Sequence, residues 1–197
     1  MIDIQVQFTR GEFSLEASLK DSGFVGLTGA NGSGKTTFLH LVAGVEVPDS
    51  GRIIVGSRDI TFLPINERRV VYLNPETYFG HVDVERHLAW GIRGGKEQHE
   101  DSINEMKRAL GITYTGKVSV LSLGQRARVI LGTAMLAQPD LVLIDELFAN
   151  ISEAESVVEY VKGYAGGGGS DVIFVSQEQG ALRAADTVYR MENGRIV

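Results

Sequence analysis

The 197-residue sequence predicts an α/β fold with a mostly parallel sheet, an antiparallel β subdomain at the N-terminus and a small helical subdomain, all within a single domain. Short apolar segments alternate with helical stretches, which is typical of parallel strands joined by helices. Residues 2–8 and 13–19 instead alternate apolar and polar side chains, as half-buried strands do. Residues 76–120 are more polar and look helical, so we place the helical subdomain there.

Turn residues and apolar segments set the order of the remaining elements. Arg10-Gly11 lies at the turn between the first two strands, and Pro48-Asp49-Ser50-Gly51 predicts another turn, because proline fixes φ and glycine relieves the exit. Asn74-Pro75 ends a buried strand. Further strands are predicted at residues 24–28, 52–55, 60–63, 69–73, 141–144, 172–175, 187–191 and 195–197. Helices are predicted at residues 35–43, 87–92, 97–110, 125–137, 152–164 and in a segment ending near residue 185.

Two glycine-containing segments interrupt this pattern. Arg93-Gly94-Gly95 breaks the helical subdomain, and Gly166-Gly167-Gly168-Gly169-Ser170 predicts a flexible link. In the helix after the first break, Ile103, Met106 and Leu110 fall on one face, so that face is expected to be buried.

Composition narrows the class of protein. Hydrophobic residues make up 43% of the chain and charged residues 22%, as in ordinary globular proteins. The net charge of −6 gives no reason to expect a nucleic-acid partner. The absence of cysteine excludes disulfides and thiolate zinc sites. No signal peptide or membrane-spanning apolar segment is evident, so we expect a cytoplasmic protein or one held at a membrane by another chain.

One nine-residue motif dominates the sequence. It matches the phosphate-binding loop G-x-x-x-x-G-K-[ST], with a short strand before it and a helix after it. Glycine reaches positive φ without steric cost, so such a loop can curve and present its amides to an anion. The lysine reaches β- and γ-phosphates, and the first threonine hydroxyl can ligate Mg²⁺. The nine residues are Gly29, Ala30, Asn31, Gly32, Ser33, Gly34, Lys35, Thr36 and Thr37.

An acidic pair provides the expected complement to this loop. Asp145 and Glu146 follow a fully apolar strand, at the edge where open parallel sheets bind ligands. Nucleotide hydrolases with this loop hold Mg²⁺ with a loop hydroxyl and an acidic residue at a strand end, so Thr36 and Asp145 are the predicted metal ligands. Glu146 is the predicted catalytic carboxylate that orients the attacking water.

The stretch from residue 121 to 146, LSLGQRARVILGTAMLAQPDLVLIDE, resembles the signature region of the ATP-binding cassette (ABC) ATPases, and the resemblance covers essentially the whole chain. It implies that two cassettes enclose two ATP molecules, each held by the phosphate loop of one cassette and the signature of the other. It also implies a P-loop NTPase core, Mg-ATP as ligand and a transmembrane permease as a separate chain. The signature residues are Ser122, Leu123, Gly124 and Gln125. Apart from the resemblance, the same residues describe a helix start capped by Ser122.

Several positions depart from the family pattern. Leu123 replaces a glycine, which costs about 1–2 kcal/mol if the position takes a positive φ. Gln177 stands at the switch histidine, where it can donate a hydrogen bond to a γ-phosphate but cannot carry charge. Ser152 stands at the D-loop aspartate, Leu147 at the usual proline, and Asn74 and Glu76 where the Q-loop glutamine is expected. We therefore expect Lys35, Glu146 and Gln177 to support hydrolysis that is slower than in family members with every motif intact.

The leading hypothesis is the ATP-hydrolysing subunit of an ABC membrane transporter, held at the inner face of the membrane by a permease that docks on residues 76–120. One alternative is a weakly hydrolytic partner in a cassette heterodimer, which the substitutions at Leu123, Ser152 and Gln177 favour. Another is a soluble cassette ATPase that acts on DNA or ribosomes, although the coiled-coil arms and basic extensions of that class are missing. A small-molecule kinase would share the phosphate loop but leaves the signature unexplained. Neither the cargo nor the direction of transport is readable from the sequence.

Two further sets of residues receive an assignment. The resemblance implies that adenine stacks on an aromatic residue near the first strand pair, where Phe8 and Phe13 are the candidates and Arg10 lies close by, although both phenylalanines fit a strand core equally well. His81, His87 and His99 show no metal-ligand spacing, so we expect them at the surface.

Overall fold

A computed structural model describes residues 1–92 and 97–197 of the chain. Its strands join into one mixed sheet, and the parallel half supports the phosphate-binding loop. The strands are β1 Ile2–Arg10, β2 Phe13–Asp21, β3 Phe24–Thr28, β4 Ser50–Val55, β5 Arg58–Asp59, β6 Val70–Leu73, β7 Leu141–Asp145, β8 Asp171–Val175, β9 Thr187–Glu192 and β10 Arg195–Ile196. The helices are α1 Lys35–Ala43, α2 Val84–Ala89, α3 Glu97–Ala109, α4 Leu123–Leu136, α5 Ala154–Gly166 and α6 Gln179–Ala184.

The sheet order is β5-β4-β1-β2-β10-β9-β3-β8-β7-β6, which divides it into two halves. Strands β9, β3, β8, β7 and β6 pair in parallel. Strands β1, β2, β4 and β5 pair antiparallel, with Val6 opposite Ala17 in the β1–β2 ladder. The predicted combination of a parallel core and an antiparallel N-terminal part is therefore confirmed.

The three central parallel strands, β3, β8 and β7, are buried on both faces, which explains their nearly continuous apolar sequences. All five residues of β7 are buried, and Leu141 and Leu143 pack with α1 residues in one cluster. Val142 and Ile144 on the opposite face join a second cluster with α4 and α5. This packing fixes the carboxyl end of β7, where the acidic pair lies.

Residues 76–120 contain helices α2 and α3, which pack against α4. Ile103, Met106 and Leu110 are all buried, as their spacing predicts. A methyl group added at Gly132 of α4 would lie 3.0–3.2 Å from Leu88, Met106 and Leu110, so the absence of a side chain there lets the helices approach closely. The predicted boundary of a separate helical subdomain remains a prediction.

Four sequence assignments need correction. The predicted helix at 87–92 is wrong at both ends, since α2 spans Val84–Ala89. His87 is 3% exposed rather than at the surface, whereas His81 is exposed as expected. Ser170 is buried and donates a hydrogen bond to the carbonyl of Pro139, so it anchors the end of the glycine-rich segment predicted to be a flexible link. The predicted break at residues 93–95 and the His99 side chain lie outside the described part of the chain.

The fourth correction is that the predicted strand at 60–63 is a turn, and the short strand β5 precedes it. Arg68 is 1% exposed, and its guanidinium donates to the carbonyls of Thr61 and Leu63, 2.9 and 2.8 Å away. It also donates to Leu41 and Val42 in the last turn of α1, at 3.0 and 3.1 Å. These carbonyls turn toward one buried cation, which is incompatible with a strand ladder.

Candidate functional site

The phosphate-binding loop connects β3 to α1 and takes the curved form that its glycines predict. The φ angles of Gly29, Gly32 and Gly34 are 147°, 79° and 108°, all positive. Gly34 is the residue before the first turn of α1, whose leading N–H groups lack intrahelical acceptors. A helix N-terminus of this kind favours anions, because the free amides and the helix dipole act together.

Two polar side chains of the loop are buried. The ammonium of Lys35 donates to the carbonyls of Gly29 and Ala30, at 2.7 and 2.9 Å. The hydroxyl of Ser33 is buried and has no hydrogen-bond partner among the described residues. The loop thus holds a cation and a hydroxyl in a shielded place, in keeping with an anionic ligand.

The C-terminal hairpin supports the loop from the other side. The amide of Gly194 donates to the carbonyl of Ser33 at 2.8 Å. A methyl group added at Gly29 would lie 2.2 Å from the carbonyl oxygen of Met191, so only glycine fits there. The loop is therefore enclosed between its own helix and the turn that joins β9 to β10.

Thr36 and Asp145 lie together, as the sequence predicts for metal ligands. The hydroxyl of Thr36 donates to Asp145 Oδ2 at 2.8 Å. Mg²⁺ prefers oxygen ligands and is commonly bound by one or two carboxylates plus substrate phosphates. A hydroxyl and a carboxylate beside a phosphate-binding loop fit that preference. Among the described residues no group of three or more acidic, histidine or cysteine side chains forms an independent metal site.

Glu146 and Gln177 lie beside this pair, at the ends of β7 and β8. The side-chain amide of Gln177 donates to Asn31 Oδ1 at 3.0 Å and to Glu146 Oε1 at 3.4 Å. Glu146 takes a φ of 51°, which is unusual for a residue with a side chain. The side-chain amide of Gln177 therefore links Glu146, the predicted catalytic carboxylate, to the phosphate-binding loop.

A cleft of about 450 Å³ covers the loop and the acidic pair. Its lining includes Lys35, Thr36, Asp145 and Glu146. At one side it is lined by Arg10 and Phe13, which are two of the three candidates for contact with adenine. Phe8, the third, packs against the core beneath the guanidinium of Arg10. Phe13 is thus the better placed of the two aromatic residues.

Tyr72 is a site residue that the sequence analysis missed. Its hydroxyl donates to Asp145 Oδ2 at 2.9 Å, so this oxygen accepts from Tyr72 and Thr36 together. Burial, and then the negative charge of Asp145, raise the pKa of the Tyr72 phenol. The available signal was a lone phenol in an otherwise apolar strand, but the pairing of β6 with β7 was needed to interpret it.

The signature residues begin α4 and are not among the described residues that line the cleft. Ser122 and Gln125 form a capping box: the amide of Gln125 donates to the Ser122 hydroxyl at 3.3 Å, and Gln125 Oε1 accepts from the Ser122 amide at 3.0 Å. This geometry matches the capped-helix interpretation, and the partner-facing role of these residues remains a prediction.

Leu123 is not strained, contrary to the cost that a positive φ would impose. It occupies the first helical position of α4 and is absent from the described non-glycine residues with positive φ. The steric requirement falls on Gly124, where an added methyl group would lie 2.6 Å from the carbonyl oxygen of Asn150. The Leu123 side chain is 52% exposed at this surface.

The other substituted positions keep ordinary local structure. Leu147 takes a φ of −78°, close to the angle that proline imposes, and it is fully buried. Asn74 Oδ1 accepts hydrogen bonds from the amide of Glu76 and the hydroxyl of Thr77, at 2.9 and 2.8 Å. Neither Asn74 nor Glu76 is among the described residues that line the cleft. Ser152 is exposed, and its carbonyl accepts from Arg128 at 3.0 Å.

The fold and this site together define a P-loop nucleotide-binding protein of the α/β class. A family model described as "ABC transporter" matches residues 13–149. The chain belongs to the ABC transporter family, so the family resemblance of the signature region is confirmed.

Relatives match along nearly the whole chain. It is 30% identical over 210 residues to the molybdenum import ATP-binding protein ModC of Brucella melitensis, which covers 99% of this chain and 58% of the relative. It is 32% identical over 195 residues to the sulfate/thiosulfate import ATP-binding protein CysA of Caulobacter vibrioides, covering 92% and 58%. The Fe(3+) ions import ATP-binding protein FbpC of Rhizobium etli matches at 31%, covering 92% and 54%. The chain therefore spans a little over half the length of these relatives.

Solved cassettes share the fold. The dimeric, post-hydrolysis structure of the ATP-binding cassette MJ0796 with ADP and Pi superposes with a TM-score of 0.84 at 20% identity, covering 100% of this chain and 96% of the other. An ATP-binding subunit of an ABC transporter gives a TM-score of 0.85 at 20% identity, covering 100% and 88%. Within the residues that the structure describes, no helix is long and apolar enough to cross a membrane.

Proposed function

We propose that this chain is the ATP-hydrolysing subunit of an ABC importer. The observation that carries the proposal is the hydrogen bond of 2.8 Å between Thr36 and Asp145 at a loop of positive-φ glycines. A loop of this form binds phosphates through its amides, and the hydroxyl–carboxylate pair suits Mg²⁺. The relatives ModC, CysA and FbpC are import ATP-binding proteins, which supports import as the direction. Their cargoes differ, so the proposal names no cargo.

In the proposed reaction, Lys35 exchanges its two carbonyl partners for β- and γ-phosphate oxygens. Thr36 and Asp145 would hold Mg²⁺, which when bound would supply positive charge to offset the charge that develops on the phosphates. Glu146 orients a water molecule and accepts its proton as the water oxygen bonds to the γ-phosphorus and the bond to the bridging oxygen breaks. Gln177 donates from its amide to the γ-phosphate. The products are ADP and inorganic phosphate.

The proposed assembly is a pair of cassettes bound to a transmembrane permease at the inner face of the membrane. The signature residues 122–125 would face the nucleotide of the second cassette. An exposed aromatic pair on the proposed helical subdomain supports its assignment to the permease: Phe79 and Trp90 are 55% and 47% exposed, and their rings lie 4.5 Å apart. No nucleic-acid role is proposed.

One observation favours a second candidate, a weakly hydrolytic partner in a heterodimer. Leu123 presents an exposed apolar side chain beside the proposed signature surface, where the family has glycine. Gln177 also favours this candidate, because it stands at the position of the family's switch histidine and its side chain cannot take up a proton. If this candidate is right, purified chain binds Mg-ATP but hydrolyses it only when a different cassette is added.

The experiment compares the chain with its Glu146→Gln, Lys35→Ala and Glu155→Gln variants. Glu146→Gln should bind Mg-ATP normally and lose at least ~100-fold in turnover, because the proposed general base is removed. Lys35→Ala should lose saturable binding. Glu155, in the first turn of α5, is the matched control and its variant should behave as wild type. Unchanged hydrolysis in Glu146→Gln would overturn the catalytic assignment, and no Mg-ATP binding by wild type would overturn the function.

A further inference from the structure

Strand β6 places a phenol beside the carboxylate that ends β7. The two strands are parallel, and Tyr72 pairs with Leu143. Because side chains alternate along a strand, Asp145 lies on the same face as Leu143, which packs in the cluster with α1. The Tyr72 side chain therefore reaches a same-face neighbour, Asp145, that lies two residues beyond its register partner Leu143.

The geometry concentrates two hydroxyl donors on one carboxylate oxygen. Tyr72 and Thr36 donate to Asp145 Oδ2 from 2.9 and 2.8 Å. Within the described chain, the hydrogen bonds found at Asp145 leave Oδ1 open. Asp145 itself is 7% exposed, so its rotation is restricted by packing as well as by these bonds.

The Tyr72 ring is also held in place. His40, four residues after Thr36 on α1, meets it edge to face with centroids 5.1 Å apart and planes at 77°. Glu46 lies 3.7 Å from His40 Nδ1 on the other side of the contact.

Resting on the proposed function, we propose that Tyr72 is a positioning residue that holds the Asp145 carboxylate in the orientation that binds Mg²⁺ with the nucleotide. Carboxylates that ligate metals are commonly hydrogen-bonded by outer partners, and loss of such a partner typically weakens metal affinity about 10–100-fold. Packing alone would not require the hydroxyl. The other residues of β6 are Val70, Val71 and Leu73, so an aliphatic side chain suits this strand.

The test uses Tyr72→Phe, which removes one oxygen and keeps the ring. Mn²⁺ serves as the metal probe and ADP as the nucleotide, with free Mn²⁺ followed by electron paramagnetic resonance. Tyr72→Phe should raise the apparent dissociation constant for Mn²⁺ about 10-fold. ADP affinity in EDTA and the thermal midpoint of the ligand-free chain should not change.

Tyr189→Phe is the matched control. The Tyr189 hydroxyl also donates to a carboxylate, that of Asp21 at 3.1 Å, which is not one of the proposed metal ligands; Tyr189 lies on β9 and Asp21 ends β2, and β10 separates these strands in the sheet. Its removal should leave Mn²⁺ affinity at the wild-type value. If wild type shows no saturable Mn²⁺ binding with ADP, the proposed function fails. If wild type binds and Tyr72→Phe binds equally or more tightly, or if ADP affinity in EDTA falls to the same extent, the positioning role of Tyr72 is wrong.

Discussion

The side-chain amide of Gln177 donates a hydrogen bond to Asn31 of the phosphate-binding loop at 3.0 Å. The same nitrogen lies 3.4 Å from Glu146. One residue at the end of β8 thus contacts both the loop that is expected to hold phosphates and the carboxylate that is expected to activate water. A change at Gln177 should therefore affect the chemical step more than nucleotide binding.

We expect Gln177→Ala to lower kcat by roughly 10-fold to 100-fold, because a donor aimed at the reacting phosphate is lost. The affinity for Mg-ATP should change little, since the loop amides and Lys35 are untouched. Steady-state hydrolysis and equilibrium binding measure the two effects. Gln179→Ala, in the first turn of α6, is the control. An unchanged kcat with weakened binding would contradict the assignment.

A second prediction separates the two adjacent signature positions. Gly124→Ala brings a methyl group to 2.6 Å from the Asn150 carbonyl, and such overpacking should cost about 1–3 kcal/mol of unfolding free energy. Leu123→Gly, at an exposed position of the helix, should cost no more than about 1 kcal/mol. Urea denaturation of both variants measures the difference. The reverse ranking would mean that Leu123, not Gly124, carries the steric requirement.

A third prediction concerns the buried guanidinium of Arg68. Arg68→Met leaves carbonyls of α1 and of the turn after β5 without their donor, and each buried unsatisfied group costs about 1–3 kcal/mol. We expect a loss of at least about 3 kcal/mol of unfolding free energy. The control is Arg69→Met, whose partner Asp140 is 2.9 Å away at a half-exposed surface, and which should cost about 1 kcal/mol or less. Equal losses in the two variants would refute the special role of Arg68.

A fourth prediction is a pH dependence of stability from His87. Its Nε2 accepts from the amide of Phe79 at 3.3 Å, so Nδ1 carries the proton shared with Thr133 at 2.8 Å. Burial lowers the pKa of His87 in the folded chain below the ordinary value of 6.5. Below about pH 6.5 the unfolded chain binds a proton that the folded chain does not, so stability falls by up to about 1.4 kcal/mol per pH unit.

Denaturation between pH 5 and 8 should show this loss of stability on the acid side, over the interval down to the folded pKa. The slope should diminish in His87→Gln, which cannot take up a proton in this range. His81→Gln, at an exposed position, should retain the wild-type slope. If the slope disappears in His81→Gln instead, the pH dependence comes from His81 and the prediction for His87 is wrong.

The sequence predicted what depends on local residue types. Glycines at positions 29, 32 and 34 predicted a loop of positive φ, and alternation predicted β1 and β2 within two residues of their ends. It did not predict the turn at 60–63, because the apolar residues there resemble a strand. The turn depends on Arg68, which lies outside the segment and donates hydrogen bonds to the carbonyls of Thr61 and Leu63. His87 was misplaced for a similar reason, since its partner Thr133 is 46 residues away.

The sequence predicted the proposed metal ligands of the site but not the residue that hydrogen-bonds to them. Thr36 and Asp145 belong to motifs with a known relation, so their proximity was expected. Tyr72 depends on the register of two parallel strands, and no local pattern encodes it. Leu123 shows the opposite error: a family comparison suggested strain, while the position is an ordinary first turn of a helix.

The support that Met191 and Gly194 give to residues 29–33 also bears on how the chain matures. About 160 residues separate the two segments, so during synthesis the loop leaves the ribosome long before Met191 and Gly194 do. The nascent chain should therefore be unable to retain nucleotide until residues 191–194 have also emerged and folded against the loop.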